Sequence, residues 1–76
     1  MADEISTAMT SCQGKTVLLR LRNTKTVQGI LIDFDIHMNL TLDNAEDISE
    51  EKHLSLGKVL LRGDNILAIS LPTDKS

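Results

Sequence analysis

The sequence predicts a mostly β protein, in which a short N-terminal helix precedes a strongly bent, five-stranded antiparallel sheet that forms a small open barrel. Short apolar runs with period-two alternation recur along the chain and are separated by polar turns. Gly29 and Gly57 fall inside two of these runs, where the lack of a Cβ atom allows a strand to bend. A small sheet that bends hard enough to wrap on itself is a barrel, and five short strands suit one.

Length and composition predict one small domain of 76 residues, with the helix over residues 3–13, the barrel over 15–71 and a flexible tail over 72–76. A chain this short buries only about 60% of its unfolded surface, so we expect partners to add to its core. The single Cys12 excludes an internal disulfide, no spacing suggests a metal site, and no cofactor is expected. Neither a secretory signal nor an apolar run of ~20 residues is present, which predicts a cytoplasmic protein, or a nuclear one in a eukaryote.

The helix is predicted by apolar residues that recur at helical spacing, namely Ile5, Ala8, Met9 and Cys12. Asp3 can serve as its N-cap, and Gly14 is a natural C-terminal stop. Ten residues are too few for a stable isolated helix, so we expect the apolar face to lie on the sheet. Cys12 on that face is interpreted as a small buried hydrophobe and not as a nucleophile.

The first strand spans Lys15 to Asn23, with Val17, Leu19 and Leu21 on one face. Asn23-Thr24 then turns the chain, and because Thr24 is β-branched and disfavours positive φ, this turn is predicted to be looser or longer than a two-residue hairpin. The second strand spans Thr26 to Asp35. Its apolar residues fall on both faces, which predicts a strand that bends at Gly29 or is buried on both sides.

The remaining strands are predicted at Met38 to Leu42, Leu54 to Leu61 and Asn65 to Leu71, and Pro72 ends the sheet. The acidic segment Asp43 to Glu51 is poor in strand formers, so we expect a solvated hairpin loop there. His53 lies just beyond this segment, is expected to be exposed, and has no partners that suggest a role.

Net charge and aromatic content limit how nucleic acid could be bound. Eight Lys and Arg against eleven Asp and Glu give a net charge of −3, which argues against coating nucleic acid by bulk electrostatics. Phe34 is the single aromatic residue, so base stacking would have to use His and Arg side chains. Any nucleic-acid site is therefore expected to be local.

The connection between the second and third strands is unusual for a tight hairpin. Such turns normally contain Gly or Asn-Gly, whereas this one holds Asp35, His37 and Asn39 within five residues. All three side chains can offer hydrogen bonds or a ring face to a ligand.

The stretch from Gly29 to Leu42, with its Phe-Asp-x-His-Met-Asn-Leu pattern, resembles the first signature of the Sm and Sm-like (LSm) family. Lys58 to Ile69, with an Arg-Gly-Asp-Asn-Ile core, resembles the second signature. Both occur in the family's order, and the resemblance covers roughly residues 3–71. It is closest to the archaeal, single-type Sm-like proteins, whose fold is the bent barrel predicted above.

The resemblance implies a site for single-stranded, U-rich RNA formed by Asp35, His37, Asn39, Arg62, Gly63 and Asp64. His37 and Arg62 would stack a base between them, and Asn39 would read its edge. Gly63 and Asp64 would shape the second loop. Uracil offers two carbonyl acceptors beside one N3–H donor, which the Asn39 amide can match. A freely flipping amide would accept cytosine as well, and Asp35 is well placed to fix its orientation.

The resemblance also implies a ring, usually of seven subunits and sometimes of six, built from copies of this chain or from related chains. The fifth strand of one subunit would pair with the fourth strand of the next, which covers edge strands and adds apolar burial. The residues expected near this seam are Leu67, Ile69 and Leu71 on one strand and Val59 and Leu61 on the other. Such a ring would act in RNA processing, stability or chaperoning.

Three other interpretations compete with this one. An enzyme would need a nucleophile with a base or a metal set, and His37 with Asp35 lacks a nucleophile. A ring that serves only as a protein scaffold would show the same strands, but has no reason to combine His37, Asn39 and Arg62. The bacterial Sm-like host factor has a second motif of the Tyr-Lys-His-Ala kind, from which Arg62-Gly63-Asp64 departs.

Overall fold

A computed structural model describes residues 4–71, with side chains from Thr7 onward. The elements are helix α1 and strands β1 to β5, with a 3₁₀ turn before the last strand: α1 Glu4–Ser11, β1 Thr16–Leu21, β2 Thr26–Phe34, β3 Leu40–Asp47, β4 Leu54–Leu61, the turn Gly63–Asn65 and β5 Ile66–Ser70. The strands form one antiparallel sheet in the order β4-β3-β2-β1-β5. The predicted fold class, a short helix followed by five bent antiparallel strands, is confirmed.

The helix ends earlier than predicted, at Ser11, and a turn follows it. Gly14 has φ +86°, a left-handed conformation that suits glycine, and its N–H donates to the Leu31 carbonyl at 2.7 Å. This bond ties the end of the helix to β2. The predicted N-cap Asp3, the terminator Pro72 and the tail over 72–76 lie outside the described residues.

The core lies between the helix and the concave face of the sheet. Met9 of the helix and Cys12 of the turn that follows it are buried, as is the predicted face of β1. The buried hydrophobic residues are Met9, Cys12, Val17, Leu19, Leu21, Val27, Leu31, Leu40, Leu42 and Ala45. The thiol of Cys12 is thus free and buried, as the sequence predicts.

Gly29, where the sequence predicts a bend of β2, lies at an irregularity in the pairing of β2 with β3. A Cβ atom on Gly29 would lie 3.1 Å from the Ala45 Cα and 3.2 Å from the Asp43 carbonyl oxygen, tighter than most real Cβ contacts. Pairing of β2 with β3 shifts register across this point, between Gln28 and Ile30, and again between Leu31 and Asp33. The missing side chain lets β3 cross close to β2, which curls the sheet.

The expectation of a solvated loop from Asp43 to Glu51 is wrong for its first half, because β3 continues to Asp47. Ala45 is fully buried and pairs with Gly57 of β4, and this burial holds the segment in the sheet despite its poor strand propensity. Asn44 takes φ 50°, and the register shifts beside it, so the apolar alternation is broken. The loop itself comprises only residues 48–53.

The turn between β1 and β2 has four residues, which confirms the prediction of a turn longer than two. Thr24 nevertheless takes φ 65°. The Leu21 N–H donates to the Lys25 carbonyl at 2.9 Å, and the Asn23 side-chain oxygen accepts from the Lys25 N–H at 3.1 Å. These bonds hold the turn in a conformation that Thr24 alone disfavours.

The outermost strands β4 and β5 each have one neighbour, so each presents a free edge. Each edge strand also carries an exposed apolar side chain. Leu60 of β4 is 73% exposed, and Leu67 of β5 is 61% exposed. The other residues predicted near a seam, Val59, Leu61, Ile69 and Leu71, are half-buried and pack against the core. Within residues 4–71, no helix is long and apolar enough to cross a membrane.

Candidate nucleic-acid interface

The loop between β2 and β3 is organised by the carboxylate of Asp35. One oxygen, Oδ1, accepts from the backbone N–H groups of His37 at 2.9 Å and Asn39 at 3.0 Å. The other, Oδ2, accepts from the side-chain amide nitrogen of Asn39 at 3.0 Å. The Met38 N–H donates to the Asp35 carbonyl at 3.0 Å, and Met38 takes φ 63°. The structure therefore contains the predicted support of Asn39 by Asp35.

These bonds keep the Asp35 carboxylate ionised. Its pKa is lowered, chiefly by the backbone N–H of Asn39 and then by the Asn39 side chain, with smaller contributions from His37. An ionised carboxylate only accepts hydrogen bonds, so the Asn39 group that faces it must be the NH₂ and not the carbonyl. Asp35 thus sets one end of the amide.

The opposite end of the same amide is set by the second loop. The Gly63 N–H donates to Asn39 Oδ1 at 2.7 Å in a partly buried bond between residues 24 positions apart. The amide of Asn39 is therefore held between an acceptor, Asp35, and a donor, Gly63, which leaves only one orientation that satisfies both. The second NH of Nδ2 and the second lone pair of Oδ1 remain available, side by side, for a ligand.

Only glycine fits at position 63. A Cβ atom there would overlap the His37 carbonyl oxygen and lie 3.0 Å from the carbonyl carbon and oxygen of Met38. All of these neighbours are backbone atoms, which cannot swing aside as a side chain could. The absence of a side chain at Gly63 therefore lets the two loops touch.

The two loops and the end of β4 line one open groove. Five of the six predicted residues line it, namely His37, Asn39, Arg62, Gly63 and Asp64, together with Met38, Leu60 and Leu61. The sixth, Asp35, supports Asn39 from outside this groove. Arg62 is 77% exposed, and its Nε lies 3.6 Å from the Asp64 carboxylate. An exposed pair of this kind contributes about 0 to 1 kcal/mol, so the guanidinium is available to a ligand.

Sequence reasoning missed Arg22, which braces the second loop from the end of β1. Its Nε donates to the Asp64 carbonyl at 2.6 Å, and its backbone N–H donates to the Asn65 carbonyl at 2.8 Å. These contacts join residues more than 40 positions apart, and nothing in the local pattern around Arg22 signals them. Met38, interpreted from sequence as a packing residue, does pack against the core.

Metal-binding chemistry has no candidate site in the part of the chain that the structure describes, where no cluster of three His, Cys, Asp or Glu side chains occurs. The groove instead combines an amide of fixed orientation with an imidazole and a guanidinium. These groups suit the recognition of a planar, hydrogen-bonding ligand such as a nucleobase.

A bent five-stranded barrel whose β2–β3 and β4–β5 loops meet at one polar groove defines a barrel of the Sm-like class. The chain belongs to the LSM-domain family, whose model matches residues 7–71. The family predicted from the two signatures is thereby confirmed.

Relatives in archaea are similar over most of the chain. An snRNP Sm-like protein of Methanosarcina barkeri is 46% identical over 55 residues, which are 71% of this chain and 76% of that protein. One of Pyrococcus furiosus is 45% identical over 62 residues, 80% of each chain.

Solved structures agree with the barrel. The SmAP1 heptamer of P. aerophilum superposes with a TM-score of 0.89 at 34% identity, covering 96% of this chain and 99% of that one. The Sm protein of Pyrococcus abyssii, solved in complex with a uridine heptamer, gives a TM-score of 0.82 at 35% identity and covers 93% of this chain and 100% of that one.

Proposed function

We propose that this chain is a single-domain, non-catalytic, RNA-binding subunit of a ring that holds single-stranded, U-rich RNA and acts in RNA processing, stability or chaperoning in the cytoplasm. The observation that carries the proposal is the amide of Asn39, held at both ends within a groove that also contains His37 and Arg62. The similarity to a P. abyssii protein in complex with a uridine heptamer supports it.

The fixed amide selects uracil over cytosine. Its free N–H can donate to a uracil carbonyl while its free Oδ1 lone pair accepts from N3–H. Cytosine has an acceptor at N3 and a donor at N4, so it requires the reversed amide. Reversal would place the NH₂ of Asn39 against the Gly63 N–H and its oxygen against the Asp35 carboxylate, which breaks two hydrogen bonds. At about 0.5 to 1.5 kcal/mol each, this loss favours uracil by at least several-fold.

The base is proposed to stack between His37 and Arg62. Both side chains are exposed and planar, and both line the groove beside Asn39. Each base–ring stack contributes about 1 to 3 kcal/mol and does not depend on base identity. Stacking therefore supplies affinity, Asn39 supplies selectivity, and Gly63 and Asp64 shape the loop that carries Arg62.

One such groove gives little affinity, so a ring is part of the proposal. The free edges of β4 and β5 and the exposed Leu60 and Leu67 suit pairing between copies, and the similar P. aerophilum protein forms a heptamer. A homomeric ring of seven would repeat Arg62 around one opening and concentrate positive charge that the net value of −3 conceals. A U-rich strand could then occupy several grooves with the gain of multivalency.

The test compares Asn39→Ala with Asn65→Ala, and measures binding of fluorescent oligo-U and oligo-C by anisotropy and subunit number by light scattering. Asn65 is a matched control because it lies in the second loop but is exposed, and no hydrogen bond of its side chain occurs within residues 7–71. Asn39→Ala should lower the ratio of U to C affinity more than it lowers overall binding, with the ring intact. An unchanged ratio would remove Asn39 from the reading role. Rings that bind neither oligomer would support a protein scaffold instead.

A further inference from the structure

A second groove, distinct from the base-binding groove, adjoins the second loop through Arg22. It lies on the outer face of β1, the β1–β2 turn and β5, and its lining includes Arg20, Arg22 and Lys25. These are three of the eight Lys and Arg residues in a chain of net charge −3. Among the described residues, no Asp or Glu side chain lines the groove, and Leu67 and Ala68 of β5 complete its lining.

The cations of this groove are available to a ligand. The side chain of Arg20 is exposed and makes no hydrogen bond or ion pair within the described residues. Lys25 is half-exposed and lies 3.5 Å from the Asp47 carboxylate, a surface pair that costs little to exchange. Arg22 uses Nε on the Asp64 carbonyl, which leaves the N–H groups of its two terminal nitrogens free to donate.

We propose that this basic groove binds the phosphate backbone of the same RNA strand, next to the nucleotide whose base is held at Asn39. This inference rests on the proposed function. Arg22 connects the base-binding groove to the basic groove, because its side chain contacts the loop that carries Arg62 and also lines the basic groove. Guanidinium groups bind phosphate oxygens through paired N–H donors.

Phosphate contacts have a signature that base contacts lack. Each phosphate neutralised on a single strand adds about 0.7 to the slope of log affinity against log salt, whatever the base sequence. The groove should therefore raise affinity and salt dependence for a strand that extends beyond the base pockets. It should not alter the preference for U over C.

The experiment uses the full chain as its native ring and compares Arg20→Gln/Lys25→Gln with Lys52→Gln/Lys58→Gln. Both double variants change the net charge equally, and the second pair lies on the β3–β4 loop and on β4, outside the basic groove. Arg22 is left intact because it braces the second loop. Anisotropy with fluorescent uridine oligomers of about 7 and about 20 nucleotides is measured across a salt series, with ring size checked by light scattering.

The Arg20→Gln/Lys25→Gln ring should bind the longer oligomer several-fold more weakly, with a salt slope shallower by about 1.4 or more, while its U to C ratio stays at the wild-type value. The control ring should keep the wild-type slope. An unchanged slope in the first variant, an equal loss in the control, or a collapse of its U to C ratio would overturn the proposal. Wild-type rings that fail to bind oligo-U at all would instead overturn the proposed function itself.

Discussion

Substitution of Gly63 by Ala tests whether contact between the two loops produces base selectivity. The added methyl group would overlap the His37 carbonyl and press on the Met38 carbonyl, both of which are backbone. The loops must separate to accommodate it, and this separation breaks the bond from the Gly63 N–H to Asn39 Oδ1. The Asn39 amide then keeps Asp35 as its only fixed partner.

Two effects lower the stability of the Gly63→Ala protein. Overpacking against a backbone that must shift costs about 1 to 3 kcal/mol, and loss of the hydrogen bond adds about 0.5 to 1.5 kcal/mol. We therefore expect Gly63→Ala to lower the free energy of unfolding by about 2 to 4 kcal/mol. Because one of the two hydrogen bonds that orient the amide is lost, the ratio of oligo-U to oligo-C affinity should fall.

Gly14→Ala is the matched control for stability. Gly14 has φ +86° with nothing within 4 Å of an added Cβ, so alanine there is strained by about 1 to 2 kcal/mol without a clash. Denaturant unfolding gives the stability of each variant, and anisotropy gives its U to C ratio. The control should lose stability and keep the ratio. A Gly63→Ala ring that retains wild-type selectivity would refute the idea that loop contact orients the amide.

Four further substitutions test stacking, ring assembly, core packing and the charge of Asp35. Arg62→Ala should weaken binding of oligo-U and oligo-C alike, by about 1 to 3 kcal/mol in anisotropy titrations, because stacking is independent of base; a loss confined to U would contradict this role. Ile69→Asp should break the ring, and a ring that survives on a sizing column would count against the proposed seam. Leu42→Ala should cost about 2 to 5 kcal/mol in denaturant unfolding, since Leu42 is fully buried, and a loss below 1 kcal/mol would show that the core collapses around it. Because hydrogen bonds from Asn39 lower the pKa of Asp35, its charged form stabilises the fold above pH 3.8, and this stability is lost as pH falls through the lower folded pKa; Asp35→Asn should therefore lose less stability than the wild type on acidification in unfolding melts, and an identical loss would contradict this role of the carboxylate.

Most of the fold could be predicted because the apolar pattern and the burial agree. The alternation in β1 identified the face that is buried, and Gly29 identified the bend, because a residue without Cβ inside an apolar run marks a close approach of backbone. The extension of β3 through Asp47 could not be predicted. Its residues disfavour strands individually, and the burial of Ala45 against the rest of the sheet outweighs that preference.

The candidate site could be predicted in composition but not in geometry. The bond between Asp35 and Asn39 is local, four residues apart, and follows from the chemistry of a carboxylate beside an amide. The contacts of Gly63 with Asn39 and of Arg22 with the Asp64 carbonyl join distant parts of the chain. Only the closure of the barrel brings them together, so no local pattern could reveal them.

The most direct test of the central claim is an anisotropy titration of labelled oligo-U and oligo-C of equal length with the wild-type ring at near-physiological salt. We expect a clear preference for oligo-U, because the orientation of the Asn39 amide is fixed by Asp35 and Gly63. Equal affinity for the two oligomers would contradict base reading by this amide. Absence of binding to either would contradict the RNA function and leave the ring as a protein scaffold.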